Sequence, residues 1–154
     1  MGLTTEFEGA FTFDRKLDKE TYELLLGLSQ TRRMKRRIEK EYGVDGEFFV
    51  GGAGFYQDES RTNTIIDKNT PPGTQPSLWL QWTPTFDRKQ LVWDGGEKFY
   101  KYVEWLEYII NKILIPRGYK LNGSVEYWDT SGDSGLLMII HNNIVSSWLN
   151  NCNF

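Results

Sequence analysis

The sequence predicts an α+β fold, a mostly antiparallel sheet with two helices packed on one face, in the order β-α-β-β-β-α-β-β-β. Three observations predict it. From Glu6 to Phe13 the chain alternates, with Phe7, Phe11 and Phe13 on one side and Glu6, Glu8 and Thr12 on the other, the pattern of a half-buried strand. Two stretches, beginning at Lys19 and Glu97, instead repeat apolar residues at helical spacing. Between and after them lie short apolar runs whose hairpin-length connections on the carboxyl side suit antiparallel neighbours.

The elements follow in chain order. Asp18 supplies an N-cap, and Tyr22, Leu25, Leu26 and Ser29, widened by Leu24 and Leu28, make the stripe of a helix running from about Lys19 toward Arg33. Gly43 and Gly46 break the chain before an expected strand at Glu47–Gly51. Residues 52–76 are rich in Gly, Pro, Asn, Thr and Asp, with Ile65-Ile66 the one place open to a short strand, and are expected to form an ordered binding loop stiffened by Pro71-Pro72-Gly73. Strands are expected at Ser77–Thr83 and Gln90–Trp93. Asp94-Gly95-Gly96-Glu97 has the form of a helix start, and the helix from Glu97 to Ile115 carries Phe99, Tyr102, Val103, Leu106, Ile109, Ile110 and Ile113 as its core stripe. Ser124–Asp129, Leu136–His141 and Ile144–Leu149 close the chain as three strands, the last two joined by a tight turn at Asn142-Asn143.

With 154 residues and 39% hydrophobic composition, the chain is expected to be a single domain spanning 1–154, long enough to fold without disulfide or structural metal. Its one cysteine, Cys152, cannot form an internal bridge. The amino terminus has no basic start leading into an apolar run, and no segment approaches the length of a membrane span, so a cytoplasmic protein is expected. Net charge is −3, but Arg32, Arg33, Lys35, Arg36 and Arg37 fall within six positions. Taking those five from the 18 basic residues leaves 13 against 21 acidic ones, a balance of −8 around one positive patch. That distribution disfavours duplex DNA and suits a small or local anion.

Catalytic motifs fail on their partners. Gly132-Asp133-Ser134-Gly135 copies the nucleophile segment of chymotrypsin-like proteases, but the sole histidine, His141, lies seven residues on and expectedly in the adjoining strand. One histidine and one cysteine exclude zinc clusters, and Asp129-Ser131-Asp133 lacks the glycine and glutamate of a calcium loop. No metal or cofactor is therefore called for. Two features remain. Arginine forks bind phosphate bidentately, so the basic run exceeds what a helix end requires. The stretch from Asp67 to Trp82 combines Asn69, Gln75 and Gln81 with Trp79, Trp82 and rigid prolines, the mixture of stacking and amide readout that holds a nucleobase.

These stretches carry a resemblance. Thr31 to Arg36, Ile65-Ile66-Asp67 through Pro71-Pro72, Gln75-Pro76, Leu78 to Trp82, Trp93 to Tyr100, Tyr102 to Leu106 and Leu121-Asn122-Gly123 resemble a family of small uncharacterised bacterial and phage proteins. The similarity covers most of the chain from Phe11 to Val145 and brings motifs without a mechanism. It implies that the basic run and the Asp67–Trp82 segment belong to one design.

The expected function is a non-catalytic pocket for a small anionic, nucleotide-like ligand. Arg32, Arg33, Lys35 and Arg36 would neutralise phosphate, Trp79 or Trp82 would stack the base, and Asp67, Asn69, Gln75 and Gln81 would read polar edges. Its concrete version is a phage counter-defence sponge for a nucleotide immune signal. The alternative is an inhibitor docking an acidic partner surface through the basic run and long loop. The third reading is a hydrolase using Asp58, Glu59 or Asp67, alone or with a metal.

Overall fold

Phe7, Phe11 and Phe13 do lie on one side of a strand, each buried, while Glu6, Glu8 and Thr12 face solvent. The computed structural model describes residues 4–51 and 61–149. In chain order the elements are β1 (Thr5–Phe13), α1 (Lys19–Gln30), β2 (Lys35–Arg36), β3 (Ile65–Asp67), β4 (Trp82–Pro84), β5 (Gln90–Trp93), α2 (Tyr102–Tyr108), β6 (Leu121–Asp129), β7 (Ser134–Ile140) and β8 (Asn143–Leu149). This is the expected α+β class with one strand more than expected. Six strands form an antiparallel sheet in the order β4-β5-β1-β6-β7-β8, and β2 and β3 form a separate ribbon.

Pairing keeps the faces consistent. Phe7 sits opposite Tyr127, Phe13 opposite Leu121, and Phe11 opposite both Gly123 and Leu91. Gly123 has φ +126° and lies where a Cβ would stand 3.0 Å from the Ala10 carbonyl oxygen, so the pairing requires a glycine there. Both helices cover the same face. Leu25 and Leu28 of α1 and Trp105 and Leu106 of α2 join the β1 phenylalanines in one apolar core. Within it Phe7, Trp82, Phe99 and Tyr102 make edge-on and tilted ring contacts, with Phe7 5.1 Å from Trp82 and 5.0 Å from Tyr102 between centroids.

Several expected elements are corrected. Asp18 caps α1 as foreseen, accepting from Thr21 N at 2.7 Å, but the helix stops at Gln30 and the basic run continues as extended chain. Glu47–Gly51 forms turns and irregular chain instead of a strand. Glu47 lies in the right-handed helical region at the end of a short 3₁₀ turn, fixed there by side-chain partners described below. Ser77 and Leu78 lie in a bend and Trp79–Gln81 in irregular chain outside the sheet, and the strand covers only Trp82–Pro84.

The second helix begins at Tyr102, five residues later than the periodicity indicates. Asp94 does not cap it. Its carboxylate instead accepts from Gly96 N at 2.8 Å. Gln81 Nε2 donates to the Glu97 carbonyl at 2.9 Å, and Lys98 and Lys101 adopt φ of 53° and 60°, so residues 97–101 are shaped as a strap across the core. After Tyr108 the helix widens into a π-helical segment, Ile109–Leu114, and ends in a 3₁₀ turn at Ile115–Arg117, with Pro116 in its first turn. His141 lies with Asn142 in the β7–β8 turn, at φ of 47° and 70°, and not in a strand.

Candidate functional site

Burial along the basic run does not follow simple strand alternation, and the short β2–β3 ribbon carries a register shift between Lys35 and Arg36. Arg33, Met34 and Arg36 are buried, the two arginines each 2% exposed, whereas Arg32 and Lys35 stay half-buried and Arg37 is exposed.

Arg33 enters a buried polar network. Its Nε donates to Gln75 Oε1 at 3.2 Å and its Nη2 to the Glu47 carbonyl at 3.0 Å. Gln75 Nε2 also donates to that carbonyl, at 2.6 Å, and to the Tyr108 hydroxyl oxygen at 3.1 Å. The Tyr108 hydroxyl donates to Glu47 Oε1 at 2.6 Å, and Thr74 Oγ1 donates to the same oxygen at 2.7 Å. Burial, reinforced by the bond to the Glu47 carboxylate, pushes the Tyr108 hydroxyl above its ordinary range. Arg36 instead lays its guanidinium over the Phe49 ring, 4.1 Å from the centroid, and donates Nη1 to the Arg61 carbonyl and Thr64 Oγ1.

The run and the loop meet along the backbone. Arg33 N bonds to the Leu78 carbonyl, Lys35 N to the Thr70 carbonyl and Arg37 N to the Thr64 carbonyl. Arg32 Nε donates to the Lys68 carbonyl at 3.0 Å and Nη2 to Asn69 Oδ1 at 3.3 Å. Asp67 sits opposite Lys35 in the β2–β3 ribbon. Its carboxylate accepts from Asn69 N and from Thr70 Oγ1, which holds it below the usual carboxylate range. A bidentate Arg61–Glu39 pair, at 2.9 and 2.8 Å, ties down the near end of the described loop. Residues 52–60 of the expected loop lie outside the described residues.

Trp79 and Trp82 separate as alternation requires, but not into two candidate platforms. Trp82 is wholly buried, with Nε1 donating to the Tyr102 carbonyl at 2.9 Å. Gln81 is buried too. Its amide donates to the Glu97 carbonyl and accepts from Trp93 Nε1 at 3.1 Å. Trp79 is half-buried and walls a cleft of about 360 Å³, with Pro71, Pro76 and Leu78 on its own segment and Glu97, Lys98 and Tyr100 on the strap. The strap faces this segment because Trp105 Nε1 bonds to Ser77 Oγ and Gln81 bonds to Glu97.

Of the ten residues expected at a ligand site, Arg33, Arg36, Gln75, Gln81 and Trp82 are buried and engaged with protein groups. Of these five only Gln81 is among the lining residues of the cleft. Arg32, Lys35, Asp67 and Asn69 gather around the ribbon, and Trp79 stands in the cleft. Lys98 and Tyr100 were hidden from sequence reasoning because the apolar periodicity runs back through Phe99 and places them on a helix. Left-handed backbone at Lys98 and Lys101, in or beside the cleft wall, is the kind of strain that concentrates at binding sites.

Among the described residues no group of three or more His, Cys, Asp or Glu side chains could hold a metal, and no helix is long and apolar enough to cross a membrane. No protein-family model, curated protein or solved structure matches the chain.

Proposed function

We propose that the protein is a non-catalytic binding protein that captures a small anionic, nucleotide-like ligand in the Trp79 cleft. The observation that carries this reading is a cleft of about 360 Å³ walled by Trp79 and Tyr100, with Lys98 among its lining residues. That volume is in the range of small-molecule sites, and its mostly apolar wall, in which Lys98 is the one cation beside Glu97, suits a flat ring whose anionic group is directed to Lys98 and away from Glu97. Pro71 and Pro76 stiffen one wall and the Gln81–Glu97 bond fixes the other, so little ordering is left for the ligand to drive. Sequestration of a nucleotide immune signal by a phage protein is the concrete form of this proposal.

Competing readings lose support on specific residues. An inhibitor docking through the whole basic run would need Arg33 and Arg36, which are buried. A hydrolase would need Asp58 or Glu59, which lie outside the described residues, or Asp67, whose carboxylate is occupied by its own turn.

Isothermal titration against mono-, di- and cyclic nucleotides at two salt concentrations tests the proposal. Stacking on one aromatic is worth about 1–3 kcal/mol, so Trp79→Ala weakens binding roughly tenfold or more at both salts. The Lys98 contribution, by contrast, shrinks as salt rises. Absence of heat across the panel defeats the reading.

A further inference from the structure

A second surface, separate from the Trp79 cleft, lies between α1 and the β4–β5 turn. Two hollows of about 660 and 520 Å³ adjoin there, and Tyr22 and Phe86 line both. Lys19, Tyr22, Leu26 and Gln30 recur along α1 at three- and four-residue spacing and so form one stripe that floors the trough. From Lys19 to Gln30 the helix rises about 16 Å, the span of about five extended residues.

Phe86 is 90% exposed, the most exposed large apolar side chain among the described residues. Its position is fixed. Thr85 Oγ1 donates to Asp87 Oδ1 at 2.6 Å, Lys89 N donates to the same oxygen at 3.0 Å, and Leu17 N donates to the Arg88 carbonyl at 2.9 Å. Holding a phenyl ring in water on a rigid turn gains nothing for the fold, whereas a pre-ordered aromatic is what a protein interface uses as an anchor.

The two ends of the trough differ in charge. Three cations, Lys16, Lys19 and Arg88, line one end with two carboxylates, Glu23 and Asp87, which leaves that end with a net positive charge. Asp94 is the one charged residue lining the other end, beside Gly95 and Gly96, and no described cation pairs with it.

We propose that this trough docks a segment of a partner protein in which an acidic residue, a large apolar residue and a basic residue follow one another. The acidic group meets Lys16, Lys19 and Arg88, the apolar group packs between Phe86 and Tyr22, and the basic group meets Asp94. Opposed charges at the ends set the direction of the segment, and the shared aromatic centre supplies the burial. The inference is independent of the nucleotide reading, because the trough shares no lining residue with the Trp79 cleft.

Selection of a random peptide display library on the intact protein tests it. Enriched peptides should carry an acidic, an apolar and a basic residue within about five positions. A synthetic peptide of that consensus should lose at least about tenfold in affinity to Phe86→Ser and keep its affinity for Trp79→Ala. Asp94→Lys should weaken it and favour a peptide whose basic residue is replaced by glutamate. Phe86→Ser touches an exposed side chain, and an unchanged melting temperature confirms the fold. The proposal is overturned by no enrichment, by peptides indifferent to Phe86→Ser, or by self-association of this chain that Phe86→Ser abolishes.

Discussion

Arg33 and Arg36 are each 2% exposed, while Arg32 and Lys35, one residue away, keep contact with solvent. The inward pair acts as framework. Arg33 joins the turn at Glu47 to Gln75 and through it to Tyr108 of α2, and Arg36 packs on Phe49 while holding the Arg61–Thr64 corner. The outward pair spans the ribbon edge, where Arg32 fixes Lys68 and Asn69. A run of like charges is thus divided by the partners each side chain finds, and the guanidinium's several donors let it replace hydrogen bonds that an irregular chain lacks.

The largest effect expected from this comparison is on stability. Arg33→Ala removes a buried side chain and strips donors from Gln75 and the Glu47 carbonyl, which should cost about 3–5 kcal/mol in urea denaturation. A loss below about 1 kcal/mol would break the assignment of Arg33 to the framework.

Tyr108→Phe leaves the Glu47 carboxylate short of one donor and should cost about 1–3 kcal/mol. The folded chain holds the Tyr108 hydroxyl protonated above its unfolded range, so its share of stability is intact below about pH 10 and declines as pH rises further. The variant should therefore show a shallower alkaline decline in melting temperature.

Asp18→Ala removes the α1 cap and should cost about 1 kcal/mol at neutral pH. Hydrogen bonds from Thr21, with a further one from Tyr119, lower the Asp18 carboxyl. Its contribution is present above the ordinary carboxylate range and is lost as pH falls below it, so variant and wild type should converge in acid melts. The smallest effect belongs to Arg32→Ala, expected within about 0.5 kcal/mol of wild type.

The sheet was legible because it obeys simple periodicities. Phe7, Phe11 and Phe13 of β1, the α1 stripe, and Val125, Tyr127, Leu137 and Ile139 of β6 and β7 each bury one regular face, and local pattern reports such a face directly. The segment from Arg32 to Tyr100 was not legible in the same way. There, backbone groups are satisfied by distant side chains, Glu47 by Arg33 and Gln75, Glu97 by Gln81, and Tyr102 by Trp82. Those partners are 14 to 28 residues apart, and no local window contains them. The basic run and the loop do meet, and of Trp79 and Trp82, between which the sequence did not choose, Trp79 is the one that stands in a pocket wall. Charge alone gave no sign that two of the arginines would be inside.

The measurement that tests the central claim most directly is native mass spectrometry of freshly purified wild type beside Trp79→Ala. Framework arginines that leave the Trp79 cleft open for an anionic ligand predict a co-purified small-molecule mass on the wild type that is lost from the folded variant. A bare wild-type chain, or an adduct retained in full by Trp79→Ala, would contradict the account.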